Sequence, residues 1–257
     1  MMRIFVALLS LTLFGAAKLP AERAISAAHR NLHFRAVVFD LGLREQIGQT
    51  GFIAAMSGLR SLVADALFIQ AHVAWERTEW GRVLLLFRQV TTLQPRSILF
   101  WDMAAWHMAW NASTAAMNDS SQPRLALRIK AQREYFQLGK DFLERGIKNN
   151  PDRPQLYEAM ARLYRDKYND HEHAAEFFGK AAELPGAPSY AKRFAAYELS
   201  RCEGRAREAY DRLLALYAVG EKERLPTLIA RIKFLENKFD VPQDRRIPET
   251  DLKSLNR

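Results

Sequence analysis

The chain has 257 residues, of which 49% are apolar, so it is long enough to bury a large core and is not expected to be disordered. Lysine and arginine outnumber aspartate and glutamate by 38 to 29; this diffuse excess of +9 favours acidic partners or an anionic membrane surface and lacks the dense basic stripe of a nucleic-acid groove. The single cysteine, Cys202, excludes an intrachain disulfide and a cysteine-based zinc cluster.

Residues 1–20 carry a short apolar segment. Arg3 precedes the run from Ile4 to Ala17, and small residues end that run where a signal peptidase would cut. As a helix the run reaches only about 21 Å, against a hydrocarbon core of about 30 Å. We therefore favour a cleaved secretory signal, with an uncleaved membrane anchor or a buried core helix as alternatives. Either of the first two predicts export, to the periplasm or to the inner membrane of a bacterial source.

The rest of the chain is predicted to be helical almost throughout. Alternating strand patterns of convincing length do not occur, whereas apolar residues recur at spacings of three and four. Residues 21–60 are expected to form one or two helices that cap the later helices, with Gly42, Gly48 and Gly51 as breaks. The sequence thus predicts the all-α class.

A repeated pattern of small and large residues begins at Ala64. Pro151 and Pro185 lie 34 residues apart, a period typical of stacked helical hairpins. The residues that carry the first copy of the pattern are Leu67, Ala71, Ala74, Val83, Phe87, Val90 and Pro95. On these residues the chain resembles the tetratricopeptide repeat family, in which alanine or glycine lets paired helices approach and an aromatic side chain fills the next gap.

Two further copies come after Pro151. Ala161, Tyr164, Ala174, Phe178 and Ala181 form the third, with one extra residue expected in a turn at Asn169 to His171. The fourth is weaker and is carried by Ala196, Gly204, Ala209, Leu213 and Leu216. The matches together span residues 61–219, and several consecutive hairpins are far more specific than one.

The second copy, residues 98–151, is longer than the others. Trp101, Ala105, Gly139 and Gly146 match the pattern only if the middle of the hairpin is extended. We predict helices near Ser97 to Met117 and Arg124 to Asn149, joined by a polar turn at Asn118 to Pro123. Such a hairpin would project from one edge of the stack.

Residues 220–257 are expected to end the stack. Leu228, Ile232 and Leu235 lie on one face of a predicted capping helix from Leu225 to Phe239. The polar tail from Pro242 to Arg257 is predicted to be loosely held. The resemblance implies one elongated domain: an α-α superhelix, a right-handed solenoid of about four hairpins with flanking caps.

The resemblance also implies a concave groove that is lined by the first helix of each hairpin and binds a protein or peptide. Its register directs these side chains into the groove: Phe68, His72, Trp75, Asp102, Trp106, Trp110, Glu158, Arg162, Arg165, Arg193 and Tyr197. Aromatic groups dominate the first two repeats and arginines the later ones. A ligand with an apolar anchor and an acidic end would match that gradient.

All five tryptophans fall between Trp75 and Trp110. The register assigns Trp80 and Trp101 to packing positions within their hairpins. For Trp75, Trp106 and Trp110 two interpretations remain open, namely exposure in the groove or burial beneath the long hairpin.

Catalytic and metal-binding motifs are weak. The triplet His171-Glu172-His173 lies in a predicted turn and lacks a further ligand, so no metal or cofactor is expected. Nucleotide-binding loops and nucleophile elbows do not occur in the sequence. An enzyme remains a minority alternative, and it would need a polar pocket around His72, Asp102 and His107.

These observations predict a noncatalytic scaffold or adaptor at the cell envelope, with an unidentified protein partner and no small-molecule substrate. The alternative is a structural subunit of a larger membrane-associated complex, docked through the long hairpin around Trp110 to Leu127. Because one backbone type serves unrelated partners, the resemblance does not identify the partner.

Overall fold

The computed structural model describes residues 58–248 and Pro20, and this part of the chain is all-α, without β-strands. By its internal contacts the chain divides between Asn150 and Pro151 into two compact units. The expected single elongated domain stays a prediction. The predicted leader and nearly all of the predicted N-terminal cap lie outside the described residues. None of the helices within 58–248 has the length and apolar character that crossing a bilayer requires.

From residue 58 onward, the first unit contains a short and a long helical hairpin. Its elements are α1 (Arg60–Glu76), α2 (Trp80–Leu93), α3 (Ile98–Trp106), a π-helical segment (His107–Ala112), α4 (Ser113–Met117) and α5 (Leu125–Asn149). The predicted helices of the long hairpin are confirmed, and so is the turn between Met117 and Leu125. One π-helical turn interrupts the first of these helices.

Small side chains bring α1 and α2 together. Ala64, Ala71 and Ala74 are fully buried, which leaves room on the facing helix for larger side chains. On α2 the buried residues include Val83, Phe87 and Val90. The turn between the helices uses Thr78 at a positive φ of 57°, and the Glu79 N–H donates to the Ala74 carbonyl at 2.9 Å.

The long hairpin closes even more tightly. A Cβ atom placed on Gly139 would lie 2.7 Å from the Ala109 Cβ and 3.0 Å from the Ala105 carbonyl oxygen. At Gly146 it would lie 2.9 Å from the Cβ and Cγ of Trp101. Glycine is therefore required at both crossings. Trp101 is fully buried there and donates its indole N–H to the Pro95 carbonyl at 2.9 Å, which confirms its predicted packing position.

The second unit is a series of shorter helices in which each packs against the next. Its elements are α6 (Pro154–Leu163), a π-helical segment (Tyr164–Tyr168), α7 (His171–Glu183), α8 (Tyr190–Leu199), α9 (Ala206–Val219), a 3-10 turn (Glu221–Glu223), α10 (Pro226–Lys238) and a second 3-10 turn (Gln243–Arg245). Helix α10 confirms the helix predicted from Leu225 to Phe239, and its role as a cap stays a prediction. Its apolar stripe, Leu228, Ile232 and Leu235, is fully buried.

Local predictions in the second unit need three corrections. The extra residue is taken up by the π-helical segment before Asn169, because a π turn holds one residue more than an α turn. His171 to His173 begin α7 instead of forming a turn, since the Asp170 side chain accepts from the His173 N–H at 3.0 Å and caps the helix. The chain beyond Val241 is also held as far as Ile247, which is buried.

Candidate functional site

The aromatic face of the first unit is formed by Phe68, His72 and Trp75 on α1 with Trp106 and His107 at the end of α3. The ring centroids of Trp75 and Trp106 lie 5.4 and 5.1 Å from that of His107, and the Trp75 ring also lies 5.0 Å from that of His72. Phe68 continues the contacts inward to Phe87 and Phe100. Side chains that the sequence placed on neighbouring repeats thus meet in one continuous group of rings.

Exposure varies sharply across the aromatic face. Trp106 is 42% exposed and His72 is exposed, whereas Trp75 and Phe68 are half-buried and His107 is only 2% exposed. The sequence left open whether Trp75, Trp106 and Trp110 are buried. Trp106 is on the surface, and the other two tryptophans are half-buried.

His107 is the buried end of the aromatic face. Loss of hydration, and secondarily the charge of His72, lowers the pKa of His107 to about 4, so its imidazole is neutral at physiological pH. Its Nδ1 lies 3.1 Å from the Asn111 side-chain nitrogen, and its ring contacts Trp75, Phe87 and Trp106. A neutral, solvent-excluded ring of this kind packs as an aromatic side chain.

The helices that carry the aromatic face have more acidic than basic side chains of their own. Helix α1 carries Asp65 and Glu76, and its only arginine, Arg60, is its first residue. His72 Nε2 lies 3.7 Å from the Glu76 carboxylate. From Ile98 to Met117 the one acidic or basic residue besides His107 is Asp102, one helical turn before Trp106. Of the three residues in the predicted enzymatic group, His107 is buried among aromatic rings, Asp102 is half-buried and His72 is exposed.

In the second unit, the predicted groove residues form a polar network between α6 and α8. Glu158 is 3% exposed, and its carboxylate accepts from the Tyr190 hydroxyl at 2.7 Å. The Arg162 guanidinium lies 4.0 Å from the same carboxylate. Glu158 was expected to line a groove, but Tyr190 covers it. Bonding to Glu158, more than burial, raises the pKa of Tyr190.

Arg193 and Tyr197 lie farther along α8. Arg193 is largely buried in an ion pair with Glu223, which comes from the 3-10 turn before α10. Tyr197 is 8% exposed, and its buried hydroxyl has no hydrogen-bond partner among the residues described. Burial raises the pKa of Tyr197. These two side chains therefore contribute more to the packing of the unit than to an open surface.

Arg165 is turned toward its own helix end. It donates to the Asp166 carboxylate at 2.7 Å, and its guanidinium lies 6.0 Å from the Phe178 ring centroid. Nearby, His171 Nδ1 lies 2.7 Å from the Glu198 carboxylate, in a pair that joins α7 to α8. Glu198 and Glu223 were not among the predicted site residues. In the sequence, Glu198 is an acidic residue among apolar ones and Glu223 lies in a polar turn. Neither position indicates which basic side chain the carboxylate pairs with.

The end of the long hairpin is another exposed region. Leu125 and Leu127 are 52% and 42% exposed at the start of α5. A shallow cavity of about 400 Å³ runs along one face of the same helix and is lined by Ala126, Ile129, Lys130, Arg133, Glu134 and Gln137. Apolar and basic side chains therefore alternate along the outer part of this hairpin.

Within residues 58–248, no three histidine, cysteine or carboxylate side chains are grouped so that they could hold a metal ion. Cys202 is half-buried, its thiol lies 3.4 Å from the Glu198 carbonyl, and burial raises its pKa, which is the opposite of what a reactive thiolate needs.

Comparison of the chain with protein-family models, with curated proteins and with solved structures finds no match in any of the three. Any inference about function therefore depends on the contacts, burial and charges of the chain's own residues.

Proposed function

We propose that the protein is a noncatalytic scaffold or adaptor at the cell envelope, built on a tetratricopeptide-like superhelix, and that it binds a segment of a partner protein on its aromatic face. The observation that carries the proposal is the exposure of Trp106 at 42% beside half-buried Trp75. Tryptophan is enriched among residues that dominate binding energy, because a large rigid ring loses little entropy on binding.

The pattern of burial supports this interpretation. Trp101, five residues earlier, is fully buried against Gly146, whereas Trp106 is 42% exposed. The long hairpin therefore buries one tryptophan in its core and leaves another in contact with solvent. At the buried end of the aromatic face, the His107 ring contacts the rings of Phe87 and Trp75. An exposed ring fixed on a rigid support is suited to a protein interface.

Replacing Trp106 tests the proposal. We expect Trp106→Ala to remove a partner that is captured from native membranes by the wild-type chain, because truncation of a central aromatic anchor costs about 2 kcal/mol or more. The measurement is quantitative mass spectrometry of captured proteins. A photo-crosslinking amino acid at position 106 should attach covalently to the same partner.

Phe234→Ala is the matched control, because Phe234 is also an exposed aromatic residue, at 56%, but lies on α10 in the second unit. It should leave capture unchanged. A partner that is retained by Trp106→Ala, or lost equally in both variants, would contradict the assignment of binding to the aromatic face.

A structural subunit docked through the long hairpin is the second candidate. Exposed Leu125 and Leu127 favour it, because two leucines close together at a helix start leave apolar area in water. Replacement of both by serine should release the protein from its complex while Trp106→Ala does not. Size-exclusion profiles of native membrane extracts distinguish the two candidates.

The enzyme alternative has less support. His107 is 2% exposed and contacts aromatic rings, so a substrate would have to displace the packing of the first unit to reach it. Its lowered pKa follows from burial without any catalytic role. The envelope location rests on residues 1–20 and is tested separately, by fractionation and by intact mass of the mature chain.

A further inference from the structure

The sign of the charge around the aromatic face differs from that of the chain as a whole. The protein carries +9, yet α1 and the helices from Ile98 to Met117 contribute Asp65, Glu76 and Asp102 against Arg60 alone. Helix α5 is the contrast, with six basic residues and three acidic ones in the same unit. On these helices a cationic group therefore meets more carboxylates than basic side chains, whereas on α5 it meets more basic ones.

The geometry of the rings suits a cation. The face of an indole ring carries a negative partial charge, and tryptophan is the best aromatic partner for a guanidinium or ammonium group. Trp106 is exposed, and its buried neighbour His107 is uncharged, so His107 does not oppose a bound cation from below; the exposed His72 lies beside the Glu76 carboxylate. The helices that carry the rings also carry carboxylates: half-buried Asp102 lies one turn before Trp106 on α3, and Glu76 lies one turn after His72 on α1.

We propose that the aromatic face binds cationic side chains of its partner segment, with an arginine or lysine head group stacked on Trp106 and its charge directed toward Asp102 and Glu76. This inference rests on the proposed function and adds the chemical class of the ligand. It replaces the ligand with an acidic end that the gradient along the sequence suggested. The arginines that suggested it are engaged with Glu158, Asp166 and Glu223.

The test uses the full-length protein and labelled hexa-arginine, hexa-lysine and hexa-glutamate peptides, with fluorescence anisotropy as the readout. We expect hexa-arginine to bind, hexa-lysine to bind more weakly, and hexa-glutamate not to bind. All five tryptophans lie between Trp75 and Trp110, so saturable quenching of intrinsic fluorescence by the unlabelled peptide locates binding in the first unit.

Two substitutions separate a cation site from a merely apolar one. Trp106→Leu keeps apolar area but removes the ring, and we expect it to weaken hexa-arginine binding roughly fivefold to thirtyfold, with Trp106→Phe intermediate. Asp102→Asn should weaken binding about twofold to fivefold, as expected for a half-buried charge that solvent still screens in part. Glu144→Gln is the control, since Glu144 is an exposed acidic residue, at 53%, on α5. It should change nothing.

Several results would overturn the inference: equal binding of hexa-glutamate, no binding of hexa-arginine, an unchanged affinity in Trp106→Leu, or equal effects of Glu144→Gln and Asp102→Asn. Circular dichroism of each variant checks that the helices are retained. A native partner that still depends on Trp106 while hexa-arginine does not bind would leave the proposed function standing and refute only the cationic ligand.

Discussion

The two units hold their helices together by different means. In the first unit the helices meet through glycine and alanine, as at Gly139 and Gly146, and through interlocked aromatic rings. The second unit adds buried polar pairs, among them Glu158 with Tyr190 and Lys233 with Glu236. The stability of an apolar contact between helices depends on the volume of its side chains, whereas that of a buried polar pair depends on keeping both partners. Three substitutions, at Glu236, Gly139 and His107, test the packing of the two units, and each has its own control.

The largest effect is expected at Glu236, which is fully buried on α10. Its carboxylate lies 3.0 Å from the Lys233 ammonium and accepts from the Ile247 N–H at 2.7 Å. Glu236→Ala leaves the Ile247 N–H without its acceptor and takes the carboxylate from beside Lys233, whose ammonium keeps the Ile247 carbonyl as acceptor. This loss should cost about 3–5 kcal/mol of unfolding free energy. Urea unfolding followed by circular dichroism measures the loss.

Asn237→Ala is the control for this substitution. Asn237 accepts from Arg246 at 2.7 Å at an exposed position of the same helix, so its loss should cost only about 0.5–1 kcal/mol. Limited proteolysis after residue 240 should accelerate in the glutamate variant alone. Similar stability of the two variants would mean that burial of the pair contributes little.

The next effect concerns volume at the crossing of the long hairpin. Gly139→Ala should lose about 1–3 kcal/mol, because the added methyl group meets the Ala109 Cβ and the Ala105 carbonyl and the helices must separate. In α7 the same change at Gly179 meets nothing within 4 Å. Gly179→Ala should therefore stabilise by about 0.5–1 kcal/mol through helix propensity.

Thermal unfolding of both glycine variants measures the contrast. Gly81→Ala, also unobstructed, provides a second control within the first unit. If Gly139→Ala were as stable as the wild type, the close approach of α5 to the preceding helix would not be a tight constraint.

The smallest effect is the pH dependence contributed by His107. Because its folded pKa of about 4 lies below the ordinary histidine value of 6.5, the unfolded state binds a proton that the folded state does not. Stability therefore falls as pH decreases through that interval, by about 1–2 kcal/mol between about pH 7 and about pH 5. His107→Phe should remove this part of the slope.

Tryptophan fluorescence during urea unfolding reports this change in the first unit. His173→Gln serves as the comparison, since His173 is an exposed histidine in the second unit. A slope that is the same in the wild type and His107→Phe would show that His107 takes up its proton without disturbing the packing.

The helices of the fold were predictable because small and large residues recur at helical spacing. Val83, Phe87 and Val90 were expected to interlock with alanines of α1, and all are buried. The long hairpin was recognisable from Gly139 and Gly146. The division at Asn150 was not, because a repeat pattern describes each hairpin but not how far successive hairpins form one body.

The candidate site was only partly predictable. The register grouped Phe68, His72, Trp75 and Trp106 but not His107, because helical periodicity defines which side chains share a face and not which ring is buried beneath them. It also directed Glu158 and Tyr197 into the groove, although both are buried. Their burial depends on pairings across distant segments, such as Tyr190 with Glu158, and periodicity carries no information about the partner of a polar side chain.

The two π-helical segments, His107–Ala112 and Tyr164–Tyr168, have an evolutionary consequence. A π turn is a single-residue insertion that a helix has absorbed without breaking. When homologous chains are aligned, gaps of one position should therefore fall inside these helices rather than in the adjoining turns. Alignment methods that restrict gaps to loops would then shift the register of every later residue in the same helix, and would pair Trp110 with the wrong position.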